Sequence, residues 1–127
     1  ISNRYSTTVL ATLHADADVK PAVVQNRFYS QTGYDAALRS WCANNGVIYQ
    51  SFWTLTANPH VLNSETLKTI AGKYQKTGAQ TFFRYLNQSG IVPLTGTWSE
   101  QHMQEDLNVF DFELSSQELR RVESLLV

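Results

Sequence analysis

Three short apolar runs rich in β-branched residues, PAVVQ (21–25), VIYQSF (47–52) and GIVPL (90–94), are separated by segments with helical periodicity. This alternation most constrains the fold. Parallel strands need a crossover of a dozen or more residues, usually a helix, whereas antiparallel neighbours would be joined by short turns. The pattern therefore predicts an α/β chain built of βαβ units, with about three parallel strands and flanking helices. Three strands cannot close a barrel, and they leave two edges to be covered. The sequence reads as one domain, 1–127, forming part of a larger architecture.

The helices are read from their faces and caps. In 6–17, Val9, Leu10 and Leu13 share a face behind Ser6 or Thr7, and Lys20-Pro21 ends the run. Tyr34, Ala37, Leu38, Trp41 and Cys42 recur at helical spacing up to Gly46, which predicts one helix from Tyr34 onward. A loop holding Asn58, Pro59 and His60 is expected next. Leu67, Ile70, Ala71 and Tyr74 then mark a helix over 64–74. Thr77 and Gln80 form a capping box ahead of Phe82, Phe83 and Leu86, and Ser115 and Glu118 form another ahead of Leu119, Val122 and Leu126. Between these two boxes, Ser99 opens a helix reaching about Val109.

Composition narrows the function. With 43% hydrophobic residues over 127 positions, the chain can bury a core. A formal net charge of −1 argues against nucleic acid and membrane surfaces as partners, since both favour a basic face. No stretch approaches the roughly 20 apolar residues of a membrane span. One cysteine, Cys42, allows no internal disulfide, and ISNRYSTTVL has no export-signal layout, so a reducing, cytoplasmic setting is the expectation.

Few residues point to chemistry unaided. In GIVPLTGTWSE (90–100) an apolar run passes through a glycine-containing turn to a helix start, a common phosphate-holding arrangement, yet no lysine or arginine stands near it. Cys42 sits on an apolar stripe and reads as a buried structural thiol. His14, His60 and His102 have no second ligand at i+3 or i+4, so no metal site is expected. Asp35, Glu65 and Glu100 fall in predicted first turns, where the helix dipole favours them. Asp111 and Glu113 are expected to face solvent while Phe110 and Phe112 pack inward. No catalytic constellation is present.

Longer motifs carry a resemblance. Ile1-Ser2-Asn3, KPAVVQNRF, GVIYQSFWTL, IAGKYQKTGAQTFFRYLNQSGIVPL and EDLNVFDFELS occur in order and cover essentially the whole chain. Together they resemble the aldo-keto reductases, (β/α)8 barrels that reduce carbonyls with NADPH or NADH. The resemblance implies the second half of such a barrel, from just after strand five to helix eight. The family's catalytic tetrad lies in the first half, so this chain alone is expected to be inactive. Opening on Ile1, inside a motif, predicts further chain upstream.

By the same resemblance, Ser2, Asn3 and Gln25 would hold the nicotinamide carboxamide, and Phe52 would stack on its ring. Leu55 would lie beside the pyrophosphate. Thr95 would approach the adenosine ribose, with Glu105 and Asp106 at the adenine. The departures are Leu94-Thr95, where the family commonly has Lys-Ser, and His102, where it has arginine; a 2′-phosphate is best held by cationic side chains. The implied partners are a small carbonyl substrate and the missing N-terminal half-barrel. The alternative is a non-catalytic half-barrel, a pseudoenzyme or interaction protein, that self-associates through its open sheet edges.

Overall fold

A computed structural model describes all residues, 1–127. Its helices are α1 (Thr7–Asp16), α2 (Ala36–Asn44), α3 (Pro59–Leu62), α4 (Glu65–Tyr74), α5 (Gly78–Gln88), α6 (Glu100–Leu107) and α7 (Ser116–Glu123). The strands β1 (Val23–Arg27), β2 (Ile48–Phe52) and β3 (Ile91–Pro93) form a parallel sheet in the order β1-β2-β3. The register places Gln25 beside Gln50 and Arg27 beside Phe52. Ile1–Asn3 adds a short parallel fringe to the free edge of β1: Gln25 N donates to the Ile1 carbonyl (2.8 Å) and Asn3 N to that of Gln25 (3.0 Å).

Alternation along the strands divides the sheet into two unlike faces. Val24, Tyr49 and Ile91 are buried with Leu38, Leu67, Ile70, Phe82, Leu86 and Val122 from the helices. The opposite face carries Val23, Gln25, Ile48, Gln50, Phe52 and Val92. There Ile48 is 50% exposed and Val92 41%. Helices cover one side only, as in one sector of a barrel whose interior lies on the other side.

Two sequence expectations change here. Tyr34 does not begin a helix, and Asp35 is not in a helix's first turn but precedes α2. A 3-10 segment spans Ser30–Asp35, and Gly33, Tyr34 and Asp35 all take positive φ (59°, 54° and 54°) before α2 starts at Ala36. Two successive non-glycine residues in this region are strained, by about 1 kcal/mol or more each. Tertiary bonds hold them. The buried Asp35 carboxylate accepts from Tyr49 Oη (2.7 Å) and Asn26 Nδ2 (2.8 Å), while the Tyr34 ring packs 5.0 Å from that of Phe28. Two smaller corrections follow. Asn58-Pro59-His60 is not a plain loop, because α3 starts at Pro59. Phe110 is 68% exposed rather than packed inward, since the 3-10 turn Asn108–Phe110 directs Val109 to the core instead.

Local caps set the remaining helices. Ser64, Thr77 and Ser115 each accept from a backbone N–H three residues on, and the last two complete reciprocal boxes with Gln80 and Glu118. Glu118 also joins α7 to α4. Burial works against its ionisation. Hydrogen bonds from Lys73 Nζ (2.6 Å), Tyr74 Oη (2.6 Å) and Ser115 prevail, and bring its carboxyl from 4.5 to about 2.

Both networks make measurable predictions. Tyr49→Phe removes one donor from a buried carboxylate and should destabilise the chain by about 2 kcal/mol in urea unfolding, with the slope unchanged. Glu118 titrates lower when folded, so its contribution is fully present above pH 4.5 and is lost as pH falls toward about 2. Lys73 is 60% exposed and solvent screens the pair, which limits the effect to the order of 1–2 kcal/mol. Stability measured from pH 6 to pH 2 should show this loss in the native chain (roughly the span over which a carboxylate linked in this way titrates) and a flatter profile in Glu118→Gln.

Candidate functional site

The C-terminal ends of the parallel strands gather the polar and aromatic residues singled out above, as parallel sheets commonly do. Asn26 anchors the segment after Asn3: its Oδ1 accepts from Arg4 N (2.9 Å) and its Nδ2 donates to the Arg4 carbonyl (2.7 Å). Asn3 takes φ +52°, and its Oδ1 accepts from Tyr5 Oη (3.0 Å). Ser2 is exposed beside it. Gln25 donates through Nε2 to Gln50 Oε1 (3.1 Å), so that amide group is engaged within the sheet face. Phe52 ends β2, half-buried.

After Phe52 the chain turns sharply, with Trp53 at φ +57°. The turn is fixed from below. Ser51 and Thr54 hydroxyls share a hydrogen bond of 2.9 Å, and Asn58 Nδ2 donates to the carbonyls of Phe28 (2.8 Å) and Thr54 (2.9 Å). On the β3 side of this turn lies a cleft of about 250 Å³ lined by Leu55, Thr95, His102, Glu105 and Asp106, with Thr77, Ala79, Gly96 and Thr97. Five of the nine residues named from sequence thus share one cavity; Ser2, Asn3, Gln25 and Phe52 lie outside it, toward β1 and β2.

Hydrogen bonds give this cleft its shape. Thr95 Oγ1 donates to Asp106 Oδ2 (3.1 Å), closing the strand-to-helix turn onto α6. Gln80 Nε2 donates to the Glu105 carbonyl (2.8 Å), docking α6 on α5. His102 Nδ1 sits 3.5 Å from Thr97 Oγ1. The lining holds two carboxylates and one imidazole but no lysine or arginine. It can accept hydrogen bonds from hydroxyl and amino groups, and it opposes a second negative charge.

Sequence reasoning missed two features. The first turn of α5, with Thr77 and Ala79, forms a wall of the cleft, whereas its T-x-x-Q pattern reads only as a helix start. Arg27 and Trp53, at the ends of β1 and β2, line a separate cavity with Tyr29. Arg27 lies beyond the strand read from sequence (21–25), and no motif singled it out. No group of three or more His, Cys, Asp or Glu side chains is placed to hold a metal ion, and no helix is long and apolar enough to cross a membrane.

No family model matches the chain. Among curated proteins, it is 34% identical over 113 residues to aldose reductase B of Dictyostelium discoideum, covering 86% of this chain and 35% of that protein. It is 31% identical over 116 residues to glyoxal reductase of Bacillus subtilis (strain 168), covering 91% of this chain and 41% of that one. The chain therefore spans about two fifths of the length of these relatives. Among solved structures, the aldo-keto reductase MGS-M4 from a Medee basin deep-sea metagenome library superimposes with a TM-score of 0.85 at 24% identity, over 98% of this chain and 46% of that one. A variant of Gox0644 in complex with NADPH superimposes with a TM-score of 0.83 at 25% identity, over 98% of this chain and 45% of that one. The order of its motifs, its one-sided parallel sheet and these likenesses agree: the chain belongs to the aldo-keto reductase family and corresponds to part of that family's barrel.

Proposed function

We propose that this chain is the nicotinamide-cofactor-binding half of a carbonyl reductase. The observation that carries the reading is the line of sites along the strand ends. Asn3 and Phe52 stand at one end, with Gln25 further back at the middle of β1, and the cleft of Leu55, Thr95, His102, Glu105 and Asp106 at the other, joined by the turn at Trp53. A bound reduced nicotinamide supplies a hydride to a carbonyl carbon. The part played by this chain is to bind and orient. Phe52 offers a ring face, Ser2 and Asn3 offer hydroxyl and amide partners for a carboxamide, Gln25 offers its Oε1 while its Nε2 stays on Gln50, and Glu105 and Asp106 accept from adenosine.

The residues present fit an adenosine with a free 2′-hydroxyl, and they do not fit a 2′-phosphate. Such a phosphate carries close to two negative charges and calls for a guanidinium fork or an ammonium. The cleft offers two carboxylates and His102. NADH is therefore the cofactor of this reading, with a small carbonyl compound as substrate and a cytoplasmic setting. The chain alone is inactive in this reading, because the proton donor belongs to the other half of the barrel. Reduction needs that donor to protonate the developing alkoxide.

Quenching of tryptophan fluorescence by NADH and NADPH tests the cofactor reading. NADH should bind saturably and at least as tightly as NADPH, and His102→Arg should improve NADPH binding about tenfold, or about 1.4 kcal/mol. A native preference for NADPH by tenfold sinks the account of the adenosine end. Binding of neither sinks the cofactor role.

The uncovered sheet face favours a second reading, a non-catalytic half-barrel paired with a copy of itself or with another half. Ile48 and Val92 are an apolar investment that a solitary chain leaves in water. Sedimentation should then show a dimer that Ile48→Lys dissociates without unfolding; a monomer at every concentration rejects self-association.

A further inference from the structure

The turn after β2 has a second cavity on its β1 side, about 630 Å³, lined by Arg27, Tyr29, Ser30, Gln31, Trp53 and Thr56 among its residues. Its chemistry is the reverse of the adenosine cleft. It contains no carboxylate and one guanidinium, with hydroxyl and amide groups around it. Arg27 Cζ lies 4.2 Å from the centroid of the Trp53 ring and 5.3 Å from that of Tyr29. None of the chain's ion pairs involves Arg27, and its Nε is buried without a hydrogen-bond partner. Within the protein its charge meets ring faces rather than a carboxylate, and no protein acceptor engages its donor fork.

Trp53 provides an independent observation. A tryptophan at φ +57° is a strained backbone, and 57% of the residue is exposed, so burial of its ring does not account for the strain. What the conformation achieves is to set the indole against Arg27. A guanidinium packed against two aromatic rings, with its terminal nitrogens accessible, is restrained in position and can donate to an oxyanion.

We propose that this cavity is an acid-group subsite, in which Arg27 grips the carboxylate or phosphate of a small-molecule substrate, at a place separate from the cofactor cleft. Position supports the assignment to a substrate. Arg27 neighbours Phe52 in register and lies two residues beyond Gln25 along β1, whereas the carboxylate-lined cleft is across the turn beside β3. In the reductase reading an acidic carbonyl compound anchored here would extend its uncharged part toward the nicotinamide stacked on Phe52. Naming the ligand a substrate rests on the reductase reading; the oxyanion site itself does not.

The test uses the 127-residue chain, with succinate and inorganic phosphate as probes and tryptophan emission as the signal. At least one probe should shift emission saturably without cofactor, and saturating NADH should leave its affinity unchanged. Arg27→Gln should weaken that binding at least tenfold with an unchanged melting temperature. Arg27→Lys, which keeps the charge and loses the fork, should weaken it by a smaller factor and serves if the glutamine variant unfolds. No saturable response to either probe overturns the proposal, as does binding that survives both substitutions. Displacement of the probe by NADH also overturns it, since the cavity would then belong to the cofactor's phosphates. If NADH fails to bind while a probe binds through Arg27, the cofactor reading falls and the oxyanion site stands.

Discussion

A buried carboxylate organises the functional end of this chain. Asp35 has no ion-pair partner and is held by Tyr49 Oη at 2.7 Å and Asn26 Nδ2 at 2.8 Å. Asn26 then uses its remaining capacity on both backbone groups of Arg4. One acid thus connects β1, β2, the start of α2 and the segment that carries Asn3. The strained backbone at Tyr34 and Asp35 is the geometric cost of bringing that acid inward, and it persists because several bonds over-determine it. Loss of this node would free the fringe at Ile1–Asn3, which otherwise holds β1 by a few edge bonds.

The one-sided sheet is the second constraint. The hydrophobic core lies between the sheet and the helices, so it stabilises the chain whether or not anything meets the opposite face. That face mixes Val23, Ile48 and Val92 with a Gln25–Gln50 hydrogen bond, a composition suited to a barrel interior, where strand ends approach a ligand. Partial burial of Phe52 there has a chemical consequence: a ring face stays accessible at the place where the strands end.

What could be read in the sequence depended on how far each interaction reaches along the chain. The caps at Thr77 and Ser115 were legible, because each closes over three residues. So were the strands and most helix faces, whose periodicity is local. The break before Ala36 was not. It is imposed by bonds from Asn26 and Tyr49, 9 and 14 residues away from Asp35. Asn58 reads as a loop residue, yet it is buried and holds the Phe28 carbonyl 30 residues distant. The cleft itself was half legible. Motif likeness placed Leu55, Thr95, His102, Glu105 and Asp106 together, and nothing local foretold that the first turn of α5 would wall them in.

The turn over residues 53–58 divides two cavities of opposite polarity, and this division follows from backbone geometry. A positive φ at Trp53 sends the indole toward β1, where it meets Arg27. Leu55 faces the other cavity, and Asn58 fixes the far end of the turn. Across this one short loop the β3 side presents the carboxylates of α6 and the β1 side the guanidinium of Arg27. A chain of net charge −1 has no long-range field to sort ligands by sign, so the sorting must be local. A substituent that relaxed Trp53 to negative φ would move the indole away from Arg27. The boundary between a region that accepts hydrogen bonds and one that donates them would be lost, with the sheet and the core unchanged.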